Sequence, residues 1–221
     1  MTMNVHKTLA TFTALGALTL PGTATAQDEP LVLPDRSEVA AGETFVAEIF
    51  RDWQIRCIRS EGDIAPDRCE MFQLLEEENG NPVAEFRISA PLINEDGAIA
   101  NATILTPLDT LLSPGLQLQI DEEEPAVLPY AFCRPVGCFV QISLTEDNLG
   151  LFQNGADAQV VIFALTRDEL GQIGGVPVPT SASLRGFTAA YENLVERRDE
   201  IIAFIEEQEG AAAEEDGAAS E

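Results

Sequence analysis

Residues Leu116-Gln117-Leu118-Gln119-Ile120 alternate apolar and polar without a break. A helix would scatter those three apolar side chains around its axis, whereas a strand sets all three on one face and both glutamines on the other. The same period of two runs through Trp53–Cys57. It returns in Val83–Ile88, where Ala84, Phe86 and Ile88 oppose Glu85 and Arg87, and in Cys138–Leu144, where Val140, Ile142 and Leu144 oppose Gln141 and Ser143. Ala158–Leu165 is an apolar run rich in β-branched residues, the pattern of a central strand covered on both faces. Asn79-Gly80, Asp96-Gly97 and Asn154-Gly155 reach positive φ at little cost, as two-residue hairpins require, and Ser113-Pro114-Gly115 and Pro135-Val136-Gly137 mark further turns. Seven to nine short strands are predicted. Strands with one apolar and one polar face belong in antiparallel sheets with one side wet, hence a β-sandwich.

The period changes once, near the end. Leu184, Phe187, Tyr191, Leu194, Val195, Ile202 and Ile205 recur at helical spacing, with Ser183 as the expected N-cap and Arg198 interrupting the stripe. Residues 206–221 follow, with seven acids and no base, and read as a disordered acidic tail.

At the other end, residues 1–26 read as a cleaved signal peptide. Lys7 charges a short n-region, Thr8–Leu20 is apolar, Pro21-Gly22 breaks it, and Ala24-Thr25-Ala26 fits the cleavage pattern. The apolar stretch is too short to span a bilayer, and no later run reaches ~18 apolar residues. The expected product is exported and periplasmic, or passed on to the outer membrane or the medium. Residues 27–42, rich in Pro and polar residues, are expected as a flexible lead-in.

Export decides how the four cysteines are read, since oxidising compartments favour disulfides. The spacings Cys57-x11-Cys69 and Cys133-x4-Cys138 lack the C-x2-C arms of zinc ribbons and of redox motifs. Each pair flanks a Gly- and Pro-containing turn, so local bonds Cys57–Cys69 and Cys133–Cys138 are expected. The rival is a long-range bond of the antibody kind, such as Cys57 to Cys138.

Charge narrows the function. His6 and Lys7 lie in the signal, so the mature chain holds 11 Arg against 38 Asp+Glu, a formal −27 with no Lys and no His. Nucleic acid and anionic lipid surfaces repel such a chain. Without His there is no Ser-His-Asp triad, no Cys-His pair and no imidazole metal ligand. Paired carboxylates stay open as catalysts, and Glu76–Glu78 and Asp121–Glu124 are the clusters a glycoside hydrolase would draw on. Both abut turns, where solvated acidic loops are common. Asn94-Glu95-Asp96-Gly97 is only a fragment of a calcium loop. No cofactor or metal site is expected. Trp53 is expected in the core, its indole stacked on a disulfide.

Several segments then coincide with one known pattern. Arg51-Asp52-Trp53-Gln54-Ile55-Arg56-Cys57 and Asp67-Arg68-Cys69-Glu70-Met71 resemble the W-x-x-x-C … C-x-M opening of the invasion-associated locus B family. Leu111-Leu112-Ser113-Pro114-Gly115-Leu116 is similar to its mid-domain segment, and Phe132–Cys138, with Gly137, to its C-x-x-x-G-C loop. Ser183-Leu184-Arg185-Gly186-Phe187 resembles the start of its final helix. The resemblance covers Glu43 to Leu194, within a domain drawn at 43–205. It implies an immunoglobulin-like sandwich in an exported bacterial envelope protein, with no catalytic residues to carry over; the family name comes from a link to host-cell invasion. The expected function is non-enzymatic binding of a protein or envelope component. The alternatives are a carboxylate-pair glycosidase and a structural or stress-related envelope protein. The charge of −27 and the acidic tail are not part of the family pattern.

Overall fold

A computed structural model describes residues 34–62, 65–93 and 97–218, with side chains through residue 212. The expected signal segment 1–26, the start of the expected lead-in and Asn94-Glu95-Asp96 of the calcium-loop fragment lie outside the described residues.

Among the described residues eleven strands form two antiparallel sheets. They are β1 (Thr44–Phe50), β2 (Trp53–Ile58), β3 (Arg68–Glu76), β4 (Pro82–Ser89), β5 (Ala100–Thr106), β6 (Leu116–Ile120), β7 (Ala126–Leu128), β8 (Phe132–Arg134), β9 (Gly137–Leu144), β10 (Asp157–Arg167) and β11 (Ile173–Ser183). The larger sheet has the order β1-β2-β3-β4-β5-β9-β8, the smaller β11-β10-β6-β7. Trp53, Ile55, Met71, Phe86, Ile88, Ile104 and Val140 of the first face Leu116, Leu118, Ala158, Val160 and Ile162 of the second in one buried core. Beyond the edge of the smaller sheet, helix α2 (Phe187–Ala218) covers β1, β2 and β3 with Phe187, Ala190, Tyr191 and Leu194. The opposite face of the larger sheet is open to solvent.

Several expectations are corrected. Asn154-Gly155 is no hairpin: it ends a short helix, α1 (Glu146–Asn154), which buries Leu149 and Phe152. Nine residues are too few for a period, but Thr145 accepts the Asn148 N–H as an N-cap and Glu146 and Asp147 sit in the first turn, where acids favour a helix start. Ser183 does not cap α2. It ends β11, and Leu184 is buried ahead of the helix. The helix also does not stop at Ile205: it runs to Ala218, through residues expected as a disordered tail, because Glu, Gln and Ala extend a helix already nucleated by packing. β10 is buried on one face only, with Ala158, Val160 and Ile162 inside and Gln159 exposed.

The described part of the lead-in is docked rather than loose. Asp35 caps the 3₁₀ turn Arg36–Glu38, Val39 is buried, and the Arg36 Nε donates to Asp67 Oδ2 at 2.6 Å. Pro34 O accepts from Val46 N–H on β1, a strand already bent by a bulge between Val46 and Glu48. The other edges are blunted too. β7 and β8 are three residues long, and β11 carries Pro177 and Pro179, which offer no N–H to an incoming strand.

Candidate functional site

Trp53, Gly186 and Phe187 meet at one joint between the sheets and α2. The fully buried indole of Trp53 donates from Nε1 to Ser183 O at 2.9 Å, and Gln73 Nε2 donates to the same oxygen at 3.0 Å and to Asp52 O at 2.9 Å. Ser183 Oγ donates to Asp52 Oδ2 at 2.6 Å. Phe187 meets the indole edge-on, with centroids 5.3 Å apart, and stacks on Phe152 at 5.6 Å; Phe86 meets the indole's other side at 5.7 Å. The indole thus packs on phenylalanines and not on a disulfide as expected. Cys57 lies four residues along the strand, ~13 Å away, beyond stacking distance. Gly186 has φ +87°, and a Cβ there would lie 2.2 Å from Phe50 O. The chain crosses from β11 into α2 against the β1–β2 turn, with space for hydrogen only. Gly137, with φ +146°, is pressed on Thr106 O in the same way. These motif residues build the fold.

The disulfides join Cys57 to Cys69 and Cys133 to Cys138. Each links residues directly opposite in register, on β2–β3 and on β8–β9, with Cα atoms 4.0 Å apart. That is closer than an ordinary disulfide span and follows from cross-strand pairing. Cys57–Cys69 roots the loop in which Asp67 accepts from Ser60 N–H at 2.8 Å and from Arg36. Burial pushes the Asp67 carboxyl up, but Arg36 and Ser60 outweigh it and hold it below the usual carboxylate range. Cys133–Cys138 staples the hairpin whose tip is Arg134-Pro135-Val136.

That hairpin ends the open face of the larger sheet. Across β3, β4, β5, β9 and β8, Leu74, Glu85, Leu105, Phe139 and Phe132 form one register row. Phe132 stacks on Phe139 at 4.9 Å, and Arg134 lies over the Phe132 ring at 5.6 Å. Leu74, Phe132 and Val136 stay 44 %, 41 % and 71 % exposed, so this end of the face is apolar and wet. Toward β2 the face turns charged over the following rows. Arg56 covers the Phe72 ring at 3.2 Å, while Arg87 pairs with Glu70 at 3.3 Å and, closely, with Glu85. Burial raises the Glu70 carboxyl despite the attraction of Arg87 and Arg56, and Glu85 adds to the rise. Sequence periodicity marks these residues as outward-facing; it carries no signal for which of them meet across strands.

The acid clusters are placed apart from one another. Glu77 N–H donates to Asn81 O in the β3–β4 turn. Asp121, with φ +47°, accepts from the N–H groups of Ala156 and Asp157 and so ties β6 to the start of β10. Among the described residues no three His, Cys, Asp or Glu side chains converge as metal ligands, and no helix is long and apolar enough to cross a membrane.

Comparison with known proteins agrees with this arrangement. A family model described as invasion associated locus B (IalB) protein matches residues 53–195. The crystal structure of invasion associated protein B from Bartonella henselae is similar, with a TM-score of 0.52 and 22 % identity, over 69 % of this chain and 97 % of that one. No curated protein sequence matches.

Proposed function

Since the chain belongs to the invasion-associated locus B family, we propose that it is an exported, non-enzymatic envelope protein that binds a protein partner through the apolar end of its open sheet face. The observation that carries this reading is the stapled hairpin: Phe132 and Val136 are held exposed beside Leu74, with Phe132 stacked on Phe139 in the same register row. Exposed apolar groups grouped in this way mark interaction surfaces, and a short disulfide loop meets a partner with little ordering cost. Two disulfides suit an oxidising compartment, and the periplasm is the location the reading assigns.

The test is site-specific photocrosslinking in intact cells, with the probe at Val136 and, as a control, at the exposed Glu61. A discrete adduct from Val136 alone, lost on Phe132→Glu, is the expected result. No adduct, or the same adducts from both positions, would favour a structural envelope role and overturn the proposal. Hydrolysis of glycans by the purified protein, abolished by an acid-to-amide change, would restore the glycosidase alternative.

A further inference from the structure

In a chain with 38 acids, three of the 11 arginines left after the signal segment share one opening. Arg68 at the start of β3 and Arg197 and Arg198 on α2 line a pocket of about 280 Å³ whose walls include Leu92, Leu194 and Ile201. Arg198 is held by Asp199 at 2.6 Å. Arg197 donates to Asn193 Oδ1 at 2.7 Å, with Glu48 at 3.7 Å. Arg68 is exposed and has no ion-pair partner among the described residues. Three guanidiniums against two carboxylates leave a local surplus of positive charge.

The apolar floor continues past this mouth. Arg68 and Ile201 also line an adjoining pocket of about 370 Å³, together with Ile58, Phe204 and Ile205. Ile58 is 50 % and Ile205 38 % exposed, so this end of the trough is open to solvent. The two pockets fall at or just below the low end of the ~300–1,000 Å³ typical of small-molecule sites.

From a cationic mouth over an apolar floor, the geometry points to a binding site for a single-chain amphiphile with an anionic head group. Arg68 would take the head group, with Arg197 and Arg198 behind it, and the hydrocarbon chain would lie along Leu92, Ile201 and Phe204. A guanidinium fork suits a carboxylate or phosphate oxygen pair, and an acyl chain removes the exposed floor from water. In the adjoining pocket the acid Glu61 is matched in charge by Arg59. The remote acids also oppose such a ligand, but at physiological ionic strength their reach shrinks to ~8 Å, leaving the arginines at the mouth in control.

Calorimetric titration of the full mature chain in physiological salt tests this with four probes below their micelle concentrations: decanoate, decyl phosphate, acetate and decyltrimethylammonium. Saturable one-to-one binding is expected of decanoate or decyl phosphate and of neither control. Arg68→Gln, at an exposed and unpaired position, should leave the thermal midpoint unchanged and weaken binding roughly tenfold, the weight of one charge-assisted hydrogen bond. Arg68→Lys should weaken it less. The proposal is overturned if acetate binds as tightly as decanoate, if the cationic amphiphile binds equally well, if no probe saturates, or if Arg68→Gln changes nothing. It is also overturned if a Glu- and Leu-rich peptide binds there and decanoate does not, which would make the trough a protein-docking surface.

Discussion

Trp53 Nε1 reaches Ser183 O at 2.9 Å across 130 residues of chain, and this bond ties the larger sheet to the last residue of the smaller one. Gln73 Nε2 donates to the same oxygen, so removing the indole donor still leaves Ser183 O with a hydrogen bond. What Trp53→Phe loses is the packing between Phe86 and Phe187 plus one hydrogen bond. The expected cost is about 2 kcal/mol, rising to ~3–5 kcal/mol for Trp53→Ala. Urea unfolding followed by far-ultraviolet circular dichroism measures both, and a Phe variant as stable as the parent would contradict this account of the joint.

Gly186 should be among the least replaceable residues in the chain. An L-residue at its φ of +87° is strained by about 1–2 kcal/mol, and its Cβ would also enter Phe50 O. Gly80, with φ +83° and open space around it, pays only the first cost. Gly186→Ala should therefore destabilise by roughly 3 kcal/mol or more and Gly80→Ala by about 1 kcal/mol. Thermal melts of the two variants side by side separate the clash from the backbone strain.

The contrast between these glycines shows where sequence reading stops. Gly80 was legible because Asn-Gly between alternating strands is a local signal, and β4, β6 and β9 were legible from their period of two. Gly186 depends on Phe50, and the Arg56–Phe72 contact on the register between β2 and β3; neither neighbour lies within a sequence window. The same holds for α1, whose two buried side chains, Leu149 and Phe152, are too few to declare a helix against the hairpin that Asn154-Gly155 announces. Length also mattered for α2. Its apolar stripe predicted the docked half, while the acidic composition beyond Ile205 is shared by solvated helices and unstructured tails.

Asp67 should make the docking of the lead-in pH-dependent. Its folded carboxyl lies below the ordinary range, so the stability it contributes is complete above the unfolded pKa of ~3.9 and is lost as pH falls through the lower folded value. At neutral pH, Asp67→Asn should cost about 2 kcal/mol, the scale of its charge-assisted bonds to Arg36 and Ser60 N–H. As pH falls below 4, the gap between variant and parent should close. Unfolding midpoints at pH 7 and at pH 3 decide it; a gap that stays constant would place the stabilising interaction elsewhere.

The two disulfides should differ both in what they contribute and in how they open. Cys57 and Cys69 are 12 residues apart in sequence, Cys133 and Cys138 only five, so the first closes the larger loop. Constraining the unfolded chain is then worth about 3 kcal/mol in the first case and about 2 kcal/mol in the second. Exposure separates them further. Cys57 is sealed in the core and its partner Cys69 is half-buried, so neither sulfur of that bond is freely open to a reductant while β2 and β3 stay paired. Cys133 is exposed at the sheet edge and can be attacked in the folded protein. Under rising dithiothreitol, alkylation and mass spectrometry should find Cys133–Cys138 opened first, with circular dichroism unchanged. That step should also release Phe132 and Val136 from their fixed positions, so the Val136 crosslink should fade at the same reductant concentration. A crosslink that survives opening of this bond would show that the hairpin's rigidity plays no part in binding.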